Sequence, residues 1–154
     1  MTDLIALAER VEALSGPCRE TDLALHCALF PDGDIAKTVK RDWRGTGQPG
    51  VRSWDLTSHG VFCTETRDER GDVWASGSQP LPHLTGSLDA VTALIAEKLP
   101  EWRWEVRRSE AVVARVWRLR RRDESYDRAD CESYAATPAI ALLAAALRAI
   151  DNAP

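Results

Sequence analysis

Ser87–Val106 reads SLDAVTALIAEKLPEWRWEV, and the order of signals inside it decides the fold class. Ser87 is a good helix N-cap, and Asp89 suits the positive end of a helix dipole. Leu88, Val91, Leu94, Ile95 and Leu99 then recur at three- and four-residue spacing, the stripe of a one-faced helix. Pro100 stops it. Beyond it Trp102, Trp104 and Val106 alternate with Arg103, Glu105 and Arg107, the period of a strand. Val112–Arg121 reads as its antiparallel partner across a turn at Arg108-Ser109-Glu110. Strand alternation predicts that Trp102 and Trp104 face inward beneath helices, where each such ring withdraws ~150–250 Å² from water.

Working outward, the chain opens with Leu4, Leu7, Ala8, Val11 and Leu14 on one helical face, capped by Thr2 or Asp3 and ended by Gly16. Pro17 suits the first turn of a second helix, with Cys18, Leu25, Ala28 and Leu29 as its stripe. Pro31-Asp32-Gly33-Asp34 closes it, so a helical hairpin is expected. From Ala36 to Gln79 the segments are short and separated by glycines, which predicts a meander. Its strands are expected around Trp54-Leu56, Val61–Thr64 and Val73–Ala75, with a hairpin turn at 68–72. Gly45–Gly50, GTGQPG, reads as a flexible loop without the GxxxxGK[ST] pattern of a phosphate loop. At the other end Thr137 caps a helix with Pro138 at its first position. The run AIALLAAALRAI is apolar almost all round, so that helix should be buried on more than one side. The acidic segment at about 123–134 reads as a flexible loop.

The expectation is therefore an α+β fold, an α-β-α sandwich in which helices cover an antiparallel sheet. A chain of 154 residues suits a single domain, residues 1–154, with an inserted meander at about 36–79. With 44% hydrophobic and 29% charged residues, the composition is that of an ordinary globular protein. A net charge of −4 argues against general nucleic-acid binding, though not against a small anion held by local arginines. The N-terminus has early acidic residues and no basic region, so no signal peptide is expected. No apolar run is long enough for a bilayer. The four cysteines lack CxxC or zinc-finger spacing and are expected to be reduced, in a cytoplasm.

The opening LIALAERVEALSGPCRETDLAL, the central LTGSLDAVTALIAEKLPEWRWEV and the closing ATPAIALLAAALRA together resemble the phage ABA sandwich domain. That family belongs to tailed bacteriophages and prophages and has no established general function. The resemblance implies an α-β-α sandwich and a phage origin, and it transfers no active site. The chain departs from the family pattern at Cys18, where an acidic residue is usual, and in its longer middle.

Six tryptophans are many for this length, and each could pack a core or stack on a base, the latter worth ~1–3 kcal/mol. Trp43 stands out, among Lys40, Arg41 and Arg44 beside the glycine loop. Arginines crowd the last two strands, either as a phosphate clamp or as a solvated edge balanced by Asp123, Glu124, Asp127 and Asp130. The three histidines have no metal-ligand spacing, and a His59–Cys63 nucleophile pair would lack an orienting third group. Glu65, Asp68 and Glu69 read as carboxylates of a turn.

These readings predict no catalytic residues, no metal and no cofactor. They point to a phage accessory protein of the host cytoplasm that sequesters a nucleotide-derived immune signal, a sponge. The ligand-binding residues expected are Trp43, Arg44, Arg52 and Trp54, then His83 and Arg118. Expected partners are that small molecule and further copies of the chain, with no membrane. Two alternatives are a protein that blocks a host factor or builds a phage structure by protein–protein contact, and a small hydrolase whose site assembles only in three dimensions.

Overall fold

A computed structural model describes residues 3–45, 52–66, 73–118 and 130–153, except the side chains of 66 and 73–76. The glycine loop beyond Gly45, the turn at 68–72, the Trp74 side chain and the arginines from Arg120 to Arg122 lie outside what is described. The fold is α+β, with five helices and seven strands among the described residues. Helices cover both of its sheets, and the chain divides into two compact units, residues 1–18 with 83–154 and residues 19–82.

The first unit holds α1 (Leu4–Glu12), α4 (Leu88–Lys98), α5 (Pro138–Asp151) and the strands β5 (Trp102–Arg108), β6 (Val112–Arg118) and β7 (Asp130–Ala135). Its three caps form as the sequence predicts. Asp3 Oδ1 accepts from Ala6 N, Ser87 Oγ from Ala90 N and Thr137 Oγ1 from Ile140 N. The sheet is antiparallel in the order β5-β6-β7. Helix α5 packs on β6 and β7 and also on α1 and α4. Every residue from Ala139 to Leu147 is buried, because its alanines let neighbours approach from several directions. The chain leaves and re-enters this unit at a closed point, where Thr85 Oγ1 accepts from Cys18 N at 2.8 Å.

Two expectations change here. The end of the acidic segment predicted as a loop, 130–134, belongs to the strand Asp130–Ala135, while residues 123–129 of that segment lie outside what is described. Cys131 and Ser133 turn into the unit while Glu132 and Tyr134 turn out. Trp102 and Trp104 do take the helix-side face, since they lie opposite Arg118 and Val116 in register, and Val116 is fully buried. Yet β5 is an edge strand while α5 covers mainly its neighbours, so Trp102 is half-buried and Trp104 remains 40% exposed. The alternation is right and the burial is not, because burial depends on position in the sheet.

The second unit holds α2 (Arg19–Leu29), α3 (Asp34–Arg41) and the strands β1 (Trp43–Arg44), β2 (Arg52–Leu56), β3 (Gly60–Thr66) and β4 (Val73–Pro80), in the order β1-β2-β3-β4. The sheet is mixed. The short β1 runs parallel to β2 and the others are antiparallel. Leu23, Ile35, Trp54, Val61 and Leu81 form its core, with Cys27, Val39, Leu56 and Cys63 packed against it. Arg19 fastens α2 to the end of this unit, donating to Asp22 at 2.9 Å and to the Leu81 carbonyl at 3.0 Å. Within their own units, α1 packs on α5 and α2 on α3, so the first two helices serve separate cores.

The second unit therefore begins at residue 19, well before the expected insertion at 36, and its first part is not a meander. Residues 34–41 form α3, with Asp34 in the first turn and Lys40 and Arg41 in the last, as the helix dipole favours. Gly60 marks where β3 meets the end of β4. A Cβ there would collide with the Gln79 carbonyl.

Candidate functional site

A cavity of about 250 Å³ opens in the second unit, on the face of the sheet that α3 partly covers. It arises from a missing side chain. Cys63 on β3 faces Gly77 on β4 in register, and the space a Gly77 Cβ would enter is open. Thr38 of α3, Arg52 at the start of β2, Cys63, Glu65, Ser78 and Gln79 supply its lining. Arg52 and Glu65 are cross-strand partners, which puts a cation and an anion at one end of the cavity.

The polar groups are unevenly satisfied. Gln79 Nε2 donates to Thr38 Oγ1 at 3.5 Å, while Gln79 Oε1 is buried with no hydrogen-bond partner among the described residues. A buried carbonyl oxygen left without a donor costs about 1–3 kcal/mol. The guanidinium of Arg52 is exposed and makes no ion pair among the described residues. Burial, with the nearby Asp42 charge, pushes the Cys63 thiol above its ordinary range, against smaller opposing effects of Thr38 and Arg52. Cys63 is therefore a protonated, weakly nucleophilic wall residue. His59 lies in the turn before β3, where its Nδ1 is 2.9 Å from Ser58 Oγ.

The six expected ligand residues divide. Arg52 lines the cavity. Trp54 is 5% exposed, and its indole nitrogen donates to the Asp42 carbonyl at 3.1 Å, so its ring belongs to the core and offers no stacking face. Arg44 is engaged, ion-paired with Glu20 and lying 5.2 Å from the Trp54 ring centroid. Trp43 is 62% exposed, yet it is paired with Ser53, whereas Arg52 alternates with Ser53 along β2. The register thus directs Trp43 and Arg52 to opposite faces of the sheet. His83 is exposed and Arg118 half-buried; both belong to the first unit, where Arg118 lies 3.3 Å from Glu101.

Three of the five described arginines of the C-terminal strands, Arg107, Arg115 and Arg118, pair with carboxylates in the manner of a solvated edge. Arg115 holds Asp130 through both nitrogens of its fork, with Nε to Oδ1 at 2.6 Å, and lies 5.7 Å from the Trp117 ring. Arg107 pairs with Glu105 at 3.0 Å. Among the described residues no group of three or more His, Cys, Asp or Glu side chains is placed to hold a metal ion, and no helix is long and apolar enough to cross a membrane.

Sequence reading passed over Thr38, Cys63, Glu65, Ser78 and Gln79 as a set. Glu65, taken for a turn residue, is a strand residue opposite Arg52. The one available signal was Gly77, an isolated glycine inside a strand. No family model matches the chain, and neither a curated protein nor a solved structure matches it.

Proposed function

We propose that this is a non-catalytic binding protein whose second unit takes part of a nucleotide-derived small molecule into the cavity beside Arg52. The observation that carries the reading is the placing, around one cavity, of a Gln79 carbonyl oxygen and an Arg52 guanidinium that have no hydrogen-bond and no ion-pair partner, respectively, among the described residues. An amino or ring N–H of a base satisfies Gln79, and a phosphate or other anion satisfies Arg52. About 250 Å³ is below the ~300–1,000 Å³ usual for small-molecule sites, so only one moiety enters and the remainder stays at the mouth. The raised thiol of Cys63 supports binding over nucleophilic chemistry. Together with the resemblance of the three sequence blocks to a phage domain, this favours sequestration of a nucleotide-derived immune signal in a host cytoplasm.

The test is incubation with a panel of cyclic and linear nucleotides, followed by melting and recovery of the ligand after denaturation. Binding to the folded state raises Tm, and the nucleotide is released unchanged. Arg52→Ala and Gln79→Ala each remove the shift while leaving the ligand-free Tm close to that of the parent. Gly77→Leu, which fills the cavity, removes it as well. A shift that survives Gly77→Leu places the ligand elsewhere. A chemically altered nucleotide establishes an enzyme, and no shift across the panel overturns the proposal. A protein-binding reading is favoured separately by Trp43 and Tyr134, which are 62% and 59% exposed.

A further inference from the structure

We infer that the free edge of β5 is a self-association surface on which a second copy of the chain pairs its own β5, antiparallel and centred on Trp104. Among the described residues strand β5 has a hydrogen-bonded neighbour on one side only, β6. Its other edge, seven residues long, presents a row of backbone donors and acceptors that no described strand pairs. Trp104, 40% exposed, sits at the middle of that edge on the helix-side face, between the half-buried Trp102 and Val106.

The charges on the opposite face select the register. Centring the pair on Trp104 sets Arg103 against Glu105 of the second copy and Glu105 against its Arg103. One residue beyond the strand, Glu101 meets Arg107, again twice by symmetry. On the helix side Trp104 meets Trp104, and Trp102 meets Val106. Sliding by two residues one way sets Glu105 against Glu105 and Arg103 against Arg107. Sliding the other way sets Arg103 against Arg103 and Glu101 against Glu105. A slip of one residue joins helix-side faces to outer faces. Only the Trp104-centred pairing puts opposite charges together at every outer position while joining apolar residues inside.

The other edge of the sheet has no such code. The charged residues of β7 are Asp130 and Glu132, both acidic, so its self-pairing has no cation to offer. The closed two-fold pairing at β5 makes one continuous six-stranded sheet and covers both copies of Trp104. A strand pair is a small interface, so the dimer is weak and sensitive to salt.

Sedimentation velocity of the full chain across a concentration series at low salt tests this. The expected result is a monomer–dimer equilibrium that shifts toward monomer as salt rises. Glu105→Arg and Arg103→Glu each raise Kd about tenfold or more, because both symmetry-related pairs change from attraction to repulsion. The double swap R103E/E105R restores the dimer, since opposite charges face each other again. Trp104→Cys forms an intermolecular disulfide under mild oxidation that the parent does not, as strand-paired Cα atoms fall within disulfide reach. Circular dichroism confirms that every variant compared is folded. A strictly monomeric parent, a dimer indifferent to the single reversals, or a double swap that fails to restore it overturns the inference.

Discussion

Removing the Glu12 carboxylate should loosen the first unit, and the size of the effect follows from the geometry. Arg148 on α5 donates to Glu12 on α1 from Nη1 at 2.6 Å and from Nη2 at 2.7 Å, and Ser133 Oγ on β7 donates at 2.5 Å. One carboxylate thus ties two helices and a strand. The two charged side chains are 23% and 26% exposed, too buried for a fully screened surface pair and too exposed for a fully buried one. Hydrogen bonds to charged groups contribute about 1.5–3 kcal/mol, and exposed pairs about 0.2–1 kcal/mol. Glu12→Ala is therefore expected to cost about 2 kcal/mol, or ~4–8 °C in Tm for a chain of this size. A double-mutant cycle with Arg148→Ala should give a coupling of about 1 kcal/mol or more.

Acid supplies an independent check on the same contact. Hydrogen bonding from Arg148 first, then from Ser133, holds the Glu12 carboxyl below its ordinary value of 4.5 against the opposing effect of burial. A depressed folded pKa means that the contribution is fully present above 4.5 and is lost as pH falls through the lower folded value. The stability difference between the parent and Glu12→Gln should be constant near neutral pH and shrink below 4.5. Urea denaturation followed by far-UV circular dichroism at several pH values measures both effects. A coupling near zero, or a difference that does not change between neutral pH and pH 3, would refute the reasoning.

The two tryptophans of the middle segment should behave oppositely. Trp54→Ala should destabilise by about 3–5 kcal/mol because its ring is core, while Trp43→Ala should stay within about 0.5 kcal/mol; equal losses in a denaturation titration would contradict the burial. Gly60→Ala should cost about 1–3 kcal/mol, since its methyl meets the Gln79 carbonyl; an unchanged Tm would show that this corner of the sheet yields freely. Burial raises the thiols of Cys27, Cys63 and Cys131 above their ordinary value of 9.0, so iodoacetamide should label all three more slowly than a free thiol at pH 8; labelling of any of them at the rate of a small-molecule thiol would rule out its protected setting.

Local signals were sound wherever the structure itself is local. Ser87, Thr137 and Asp3 cap the helices they precede, and the apolar stripes of α1, α4 and α5 turn inward except at Leu88, which stays exposed at the start of α4. A cap needs only the next turn of backbone, and an apolar stripe needs only some core to meet. Helix α3 escaped notice because it has eight residues and only Ile35, Ala36 and Val39 to signal it. What holds it is the core of Leu23, Trp54, Val61 and Leu81, contributed from elsewhere in the chain. Strand β7 escaped because its acidic residues read as a loop, whereas Arg115 on β6 neutralises Asp130.

By itself the sequence determined the α+β class, the caps of α1, α4 and α5 and the helix-side face of β5, because periods of 3.6 and 2 follow from backbone geometry alone. The tertiary structure decided everything that depends on neighbours. It divided the strands between two sheets and made β5 an edge, leaving Trp104 exposed on the correct face. It buried Trp54, engaged Arg44 with Glu20, and gathered Arg52, Glu65 and Gln79 around the space that Gly77 leaves empty. Strand order and register bring distant residues into contact, and neither is written in the spacing of residues along a single strand.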